Sequence, residues 1–404
     1  MLFVLVLIAA PALLAAQPST GDENTSRTRL EEATRREPRN ARAWLMLAQS
    51  YARQKHTVLA LAAARKAETL GSEDAAVLHG LAFLFTDLLP DPKRAAPLEE
   101  RYAVLTPADR DAWRRVAAMY LDAGQSERAV AAGLRGLAAG DASAALHTTL
   151  GQAYLAMHQL ESAAAQFAEA VRLDPYSEET HFQLAQAYLL RQDFPRAIDV
   201  LMNARKTFDK SPQIELALGV CYYGQRQFAL AVDQFLKTMR LDPDVPQPYL
   251  FLGRILDQAG DRLGEATGRY AEFHRRHPQD ALGAIYYAKA LMAAFPTSGV
   301  PPEWAQADAL LEQAIASKPE AAEAHYLLGC LLERKLESAR AAAELERSVR
   351  LNPRDPAPHF HLARVYRELG RKEDAARERE LHQKLSEELE APATAPGAAT
   401  DGRR

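Results

Sequence analysis

The sequence predicts an all-α fold: a right-handed superhelical solenoid of about ten helix-turn-helix repeats. Three observations carry that prediction. Tyr120, Tyr154, Tyr188 and Tyr222 stand 34 residues apart, in register with a small-residue column (Ala117, Gly151, Ala185, Gly219, Gly253) and an alanine column (Ala129, Ala163, Ala197, Ala231). Within each period, apolar residues recur at three-and-four spacing, which marks two amphipathic helices. The composition is that of a folded chain: 404 residues, 48% hydrophobic, 25% charged, net charge −4. It excludes wholesale disorder and lacks the basic excess of a dedicated nucleic-acid binder.

Residues 1–16 stand outside the repeats. Residues 2–16, LFVLVLIAAPALLAA, carry no charge. With Pro11 inside, they are short for a bilayer span, which takes about 20 residues. They suit the apolar core of a signal peptide, with Ala15 and Ala16 where cleavage would fall. The alternative is an uncleaved N-terminal anchor. Residues 17–27, QPSTGDENTSR, read as a polar linker.

Residues 28–390 form the solenoid. A leading half-repeat ends at Pro38. Ten units follow, starting near Ala41, Ala75, Arg110, Ala144, Glu178, Pro212, Pro246, Ala281, Ala322 and Pro356. The phrases RLDP (172–175), RLDP (240–243) and RLNP (350–353) close units with a proline that cannot continue a helix. The second unit carries extra residues around 88–97. The eighth carries an insertion, 293–306, expected as a surface loop in which Trp304 would be the anchor if the loop meets a partner. The last helix, 371–390, is highly charged and reads as a solvating cap. Residues 391–404, APATAPGAATDGRR, are too poor in apolar side chains to order themselves and are expected to be a disordered tail.

The unit from Ala144 holds Leu150, Gly151, Tyr154, Ala163, Phe167, Ala170 and Pro175. The unit from Pro212 holds Leu218, Gly219, Tyr222, Ala231, Phe235 and Pro243. This pattern resembles the tetratricopeptide repeat, and the resemblance covers nearly everything between residues 28 and 390. One such hairpin cannot bury its own apolar face, whereas stacked neighbours bury a continuous core. The resemblance implies that the first helix of each unit lines a concave groove for protein or peptide partners. Carried over residue by residue, it gives the candidate partner-binding residues Phe182, Leu189, Leu190, Leu216, Val220, Tyr223, Leu250, Ile285, Tyr326 and Phe360, with Met292 beside them. Charged groups flank this stripe: Arg42, Arg53, Asp87, Asp111, Arg114 and Asp122 towards the N-terminus, and Glu333, Arg334, Arg364, Arg367 and Glu368 towards the C-terminus. No asparagine falls at the groove positions, which argues against the family's carboxylate clamp.

Catalytic signatures are missing. The sequence has no phosphate-binding glycine loop, metalloprotease motif, nucleophile elbow or calcium loop. Gly260, Gly264 and Gly268 fall at a hairpin turn and on a second helix. His147, His181, His325 and His359 form a column at the fourth position of their units, where Trp44, Trp113 and Tyr249 stand elsewhere. A packing slot for a flat ring accounts for them. Equivalent residues in neighbouring repeats lie about 8–10 Å apart, too far to share a metal ion. His274 and His277 read as a solvated helix end. Cys221 and Cys330, three units apart, cannot pair and are expected as buried free thiols. No catalytic residue, cofactor or metal is expected, and neither nucleic acid nor a small-molecule substrate is expected as a partner. The expected function is a non-catalytic protein–protein interaction scaffold of the bacterial envelope, exported to the periplasm or secreted. The alternative is an accessory or regulatory subunit of an envelope enzyme or export complex. Membrane attachment would follow only from retention of the apolar start.

Overall fold

The computed structural model describes residues 20–294 and 301–390. Among these residues the secondary structure is helical, with no strand. The chain divides into two compact units at Arg191/Gln192, inside the fifth sequence repeat. The expectations for residues 1–16 and 391–404 lie outside the described residues.

The first unit runs α1 (Thr20–Arg36), α2 (Ala41–Arg53), α3 (Thr57–Leu70), α4 (Ala75–Phe83), α5 (Pro92–Leu105), α6 (Ala112–Asp122), α7 (Ser126–Ala138), α8 (Ala144–Ala156), α9 (Leu160–Leu173) and α10 (Glu178–Leu190). Consecutive helices pack as antiparallel hairpins, and α2, α4, α6 and α8 are the first helices of their repeats. The expected linker needs correction. Helix α1 starts at Thr20, so residues 20–27 are helical. Arg27 reaches Gln54 at 2.5 Å, and Glu31 accepts from the Tyr51 hydroxyl at 2.9 Å. Of the residues that suggested a linker, Arg27 holds α1 to α2.

The extra residues of the second unit enter earlier than expected. Helix α4 widens into a π-helical turn at Leu84–Leu88, with Leu89 N–H donating to Leu84 C=O at 2.8 Å. The wider turn absorbs the added length and keeps Leu84 and Phe85 buried.

The second unit runs α11 (Phe194–Thr207), α12 (Pro212–Gly224), α13 (Phe228–Leu241), α14 (Gln247–Arg254), α15 (Leu263–Arg276), α16 (Ala281–Ala294), α17 (Pro302–Ser317), α18 (Ala322–Arg334), α19 (Ser338–Leu351), α20 (Pro356–Glu368) and α21 (Lys372–Glu390). The expected starts of the first helices agree with the observed ones to within two residues. As expected, α21 is largely exposed.

The 293–306 insertion also differs from expectation. Residues 302–306 are the first turn of α17, and Trp304 is 3% exposed within the core. The Arg334 guanidinium lies 5.8 Å from its ring centroid. Trp304 is therefore a core residue and not an exposed anchor. Residues 295–300 lie outside the described residues.

Three local devices recur with the period. Residues just before first helices cap them: Asn40, Ser143 and Ser211 accept from backbone N–H groups three residues on, at 3.1, 3.2 and 3.1 Å. In eight of the hairpins the turn holds one residue in the left-handed region. These are Lys55, Gly124, His158, Gln192, Arg226, Gly260, Leu336 and Gly370, most of them 34 apart, and five are not glycine. The following N–H closes a six-residue ring onto the helix, as Gln159 does onto Tyr154 C=O at 2.9 Å. Finally, glycine in the first helix makes room for a ring from the second. A Cβ on Gly151 would stand 2.6 Å from Phe167 Cε1, and one on Gly219 would stand 2.6 Å from Phe235 Cε1.

Candidate partner-binding site

The candidate residues divide by burial. In the first unit Phe182 and Leu189 are half-buried, and Leu190 is exposed at the end of α10. In the second unit Leu216, Val220, Tyr223, Leu250 and Tyr326 are half-buried, each with part of its surface against the core. Phe360 is 45% exposed. Tyr223 packs edge-on against Phe228 and Phe251, which leaves α12 a firm apolar surface rather than a loose one.

Ile285 does not belong to this set. It is 1% exposed, and Met292 is 5% exposed. Helix α16, ALGAIYYAKALMAA, is apolar but for Lys289 and packs against α14, α15, α17 and α18, which bury Ile285 and Met292. That packing leaves neither side chain open to a partner. The apolar stripe of the second unit is therefore interrupted at the eighth repeat.

The charged ends also separate. Arg42 pairs with Asp74 at 3.0 Å and Arg114 with Asp111 at 3.8 Å, whereas Arg53, Asp87 and Asp122 are exposed. The Arg42 guanidinium holds the Asp74 carboxyl below its ordinary range. Glu333, expected on the groove surface, is only 6% exposed. Its oxygens face His361 Nδ1 at 2.5 Å and Arg364 Nε at 3.1 Å. Arg334, Arg364, Arg367 and Glu368 are exposed as expected.

The histidine column has a role that residue type alone did not reveal. Trp44 Nε1, the Tyr249 hydroxyl and His325 Nε2 each reach the carbonyl of the proline six residues earlier, at 3.0, 3.1 and 3.1 Å. His147, His325 and His359 also place Nδ1 against an acceptor 19 residues later: Gln166 at 2.8 Å, Glu344 at 2.7 Å and Glu378 at 2.6 Å. The slot thus favours a flat ring that hydrogen-bonds. It ties the first helix to the preceding turn and to its own second helix. The recurrence of Pro six residues before the slot was the available signal.

His277 is likewise engaged: its Nε2 lies 3.0 Å from Asp244, which Arg276 also reaches at 3.2 Å. The helix end is part-exposed as expected, and His277 also meets the preceding turn through Asp244. Gly260 sits in the turn with φ 54°, and Gly264 and Gly268 lie in α15 with open space around them. Cys221 and Cys330 are free and buried, and burial pushes both thiols up to about 12. Among the described residues, no three His, Cys, Asp or Glu side chains converge as metal ligands. None of their helices is long and apolar enough to cross a membrane.

A second buried carboxylate lies in the first unit. Glu99 is fully buried on α5, where the repeat pattern elsewhere places Phe167 and Phe235. Its oxygens meet His79 Nδ1 at 2.8 Å and Arg115 Nε at 2.7 Å. Arg115 continues to Asp109 at 2.7 Å, and Asp109 accepts from the Tyr102 hydroxyl at 2.8 Å. The Arg115 hydrogen bond holds the Asp109 carboxyl below its ordinary range.

A family profile described as tetratricopeptide repeat matches residues 21–75, 303–339 and 326–379, and a second of the same description matches residues 154–221. No curated protein sequence matches the chain. Among solved structures, the chain is similar to the C-terminal part of a repeat-containing protein from Cytophaga hutchinsonii, at 17% identity over 69% of this chain and 97% of that one, with a TM-score of 0.45. It is also similar to YrrB, described as having an unusual peptide-binding site, at 19% identity over 46% of this chain and 95% of that one, with a TM-score of 0.39. A repeat protein from Parabacteroides merdae matches at 15% identity over 63% of this chain and 98% of that one, with a TM-score of 0.41.

Proposed function

The chain belongs to the tetratricopeptide-repeat family, and on that premise we propose that it is a non-catalytic protein–protein interaction scaffold. It binds extended or helical segments of its partners on its first helices. The observation that carries this reading is the row Leu216, Val220, Tyr223 and Leu250, which keeps apolar surface in solvent on first helices. The exposed part of these side chains adds nothing to the burial that stabilises the fold. Phe182, Leu189 and Leu190 supply the same kind of surface in the first unit. The apolar residues 2–16 support export to the periplasm or beyond the cell, with a membrane-anchored form as the alternative.

The test is in-cell crosslinking and affinity capture of the full chain beside a Phe182→Ala/Leu250→Asp variant. The expected result is a partner captured by the wild type and lost by the variant, with helicity unchanged by circular dichroism. Equal capture by both proteins would remove the first-helix face as the binding surface. Fractionation of the same cells reads localisation, and recovery in the cytoplasm would refute export.

A further inference from the structure

We propose that the first-helix face of α18 and α20 in the second unit binds an acidic segment of a partner protein through an aromatic or long aliphatic anchor. This deepens the scaffold reading and rests on it.

Phe360, Arg364 and Arg367 stand at i, i+4 and i+7 on α20 and so share one face. Phe360 is 45% exposed, although it is a phenylalanine in a well-packed repeat. Its ring lies against His361 and His382, with centroids 5.3 and 5.4 Å away, so it is held in place. The Arg364 guanidinium lies 5.9 Å from the ring centroid. Arg367 is exposed and has no carboxylate partner among the described residues. On α18, Arg334 donates to Met292 C=O at 3.1 Å, which fixes its side chain while leaving it exposed.

The carboxylates nearby offset Arg364 and leave Arg367 as the cation without a carboxylate partner among the described residues. Glu333 is buried, with its oxygens turned to His361 and Arg364. Glu368 accepts from the Ser338 hydroxyl at 2.8 Å at the edge of the face. What solvent meets on α20 is a fixed aromatic ring with the Arg364 guanidinium beside it and Arg367 one turn further along the same face. Arginine beside an aromatic is the chemistry that grips carboxylates while an apolar side chain stacks on the ring. The first helices of the first unit lack this arrangement: their exposed Phe83 has Asp87 four residues on.

The test uses the full chain and three short, C-terminally amidated fluorescent peptides. They share a central Leu-Phe pair and differ in flanks of Glu/Asp, Ser/Gln or Lys. The acidic peptide is expected to bind at least about tenfold tighter than the other two, to weaken with salt, and to lose its advantage with Arg367→Glu. Arg367→Glu removes no intramolecular ion pair, and circular dichroism of the variant checks that it is folded. Phe360→Ser is expected to weaken the acidic peptide by a similar factor. Three equal affinities, unchanged by Arg367→Glu but lost with Leu250→Asp, would overturn the acidic preference and leave the scaffold reading standing. Preference for the lysine peptide would overturn it as well. No binding by any of the three would count against both. A concentration-dependent dimer broken by Arg367→Glu would assign the face to a second copy of the chain and overturn the proposal.

Discussion

The two units fill one repeat position, that of Phe235 and Glu99, with different chemistry. In the second unit one continuous apolar core runs from Ala231 to Ala375 through Phe235, Tyr270, Leu311 and Leu345. In the first, the core around Leu45–Leu98 is distinct from that around Ala96–Ala153. The break falls where the pattern calls for a large apolar side chain on a second helix. There the first unit holds Glu99 and, one repeat later, Gly133. Leu150 fills the space over Gly133, since a Cβ there would stand 2.6 Å from its Cδ2. Glu99 is instead satisfied by His79 and Arg115. A repeat position thus tolerates an apolar ring, a borrowed neighbour or a buried ion network, but the consequences of substitution differ. An apolar core fails by losing volume, and a buried network fails by losing one member.

The strongest break of this comparison is volume deletion in the second unit. Phe235 is fully buried, stacked on Phe251 with centroids 5.5 Å apart. Phe235→Ala should cost about 4 kcal/mol. Urea unfolding followed by circular dichroism checks the cost. Hydrogen exchange should localise the loosening to the second unit, and even loosening of both units would show that the two cores are not separate.

The matching experiment in the first unit is Arg115→Ala. It leaves a buried carboxylate with His79 as its remaining partner and should cost about 3 kcal/mol. Glu99→Leu, which replaces the charge by apolar volume while Arg115 keeps Asp109, should cost far less. Equal losses from both variants would mean that the ion network itself, and not the filling of the slot, stabilises the unit.

The same network sets an acid limit. Asp109 has a folded pKa below its unfolded value because Arg115 hydrogen-bonds it. Its contribution is therefore full above the unfolded value, about pH 4, and is lost as pH falls through the folded one. Acid titration should loosen α5–α6 below about pH 4 in the wild type. Arg115→Ala should abolish that component, and an unchanged acid limb would exclude Asp109 as its source.

The smallest effect concerns the hairpin turns, which the two units share. Leu336 holds φ 62° with its side chain 80% exposed. Leu336→Gly should gain about 0.5–1 kcal/mol, because the left-handed strain exceeds the entropy glycine adds to the unfolded chain. Lys55→Gly tests the same turn in the first unit. Opposite signs would mean that one of these side chains makes a stabilising contact.

The sequence by itself determined the repeat, the starts of the first helices and the phase of every column. These follow from local physics: periodicity sets which residues share a face, and proline and capping residues set where a helix can begin. Two free, buried thiols were legible for the same reason. Periodicity names a face without naming what covers it, and there the tertiary structure decided. Ile285 and Tyr326 occupy one sequence column, yet Ile285 is buried and Tyr326 is half-buried. Trp304 fell in a stretch that breaks the period and became core because α17 starts at Pro302. Polar residues hid the most. Glu99, Glu333 and the histidine slot are explained only by partners that sequence spacing does not reveal, since a buried charge is stable only where folding brings its counter-groups within hydrogen-bond reach.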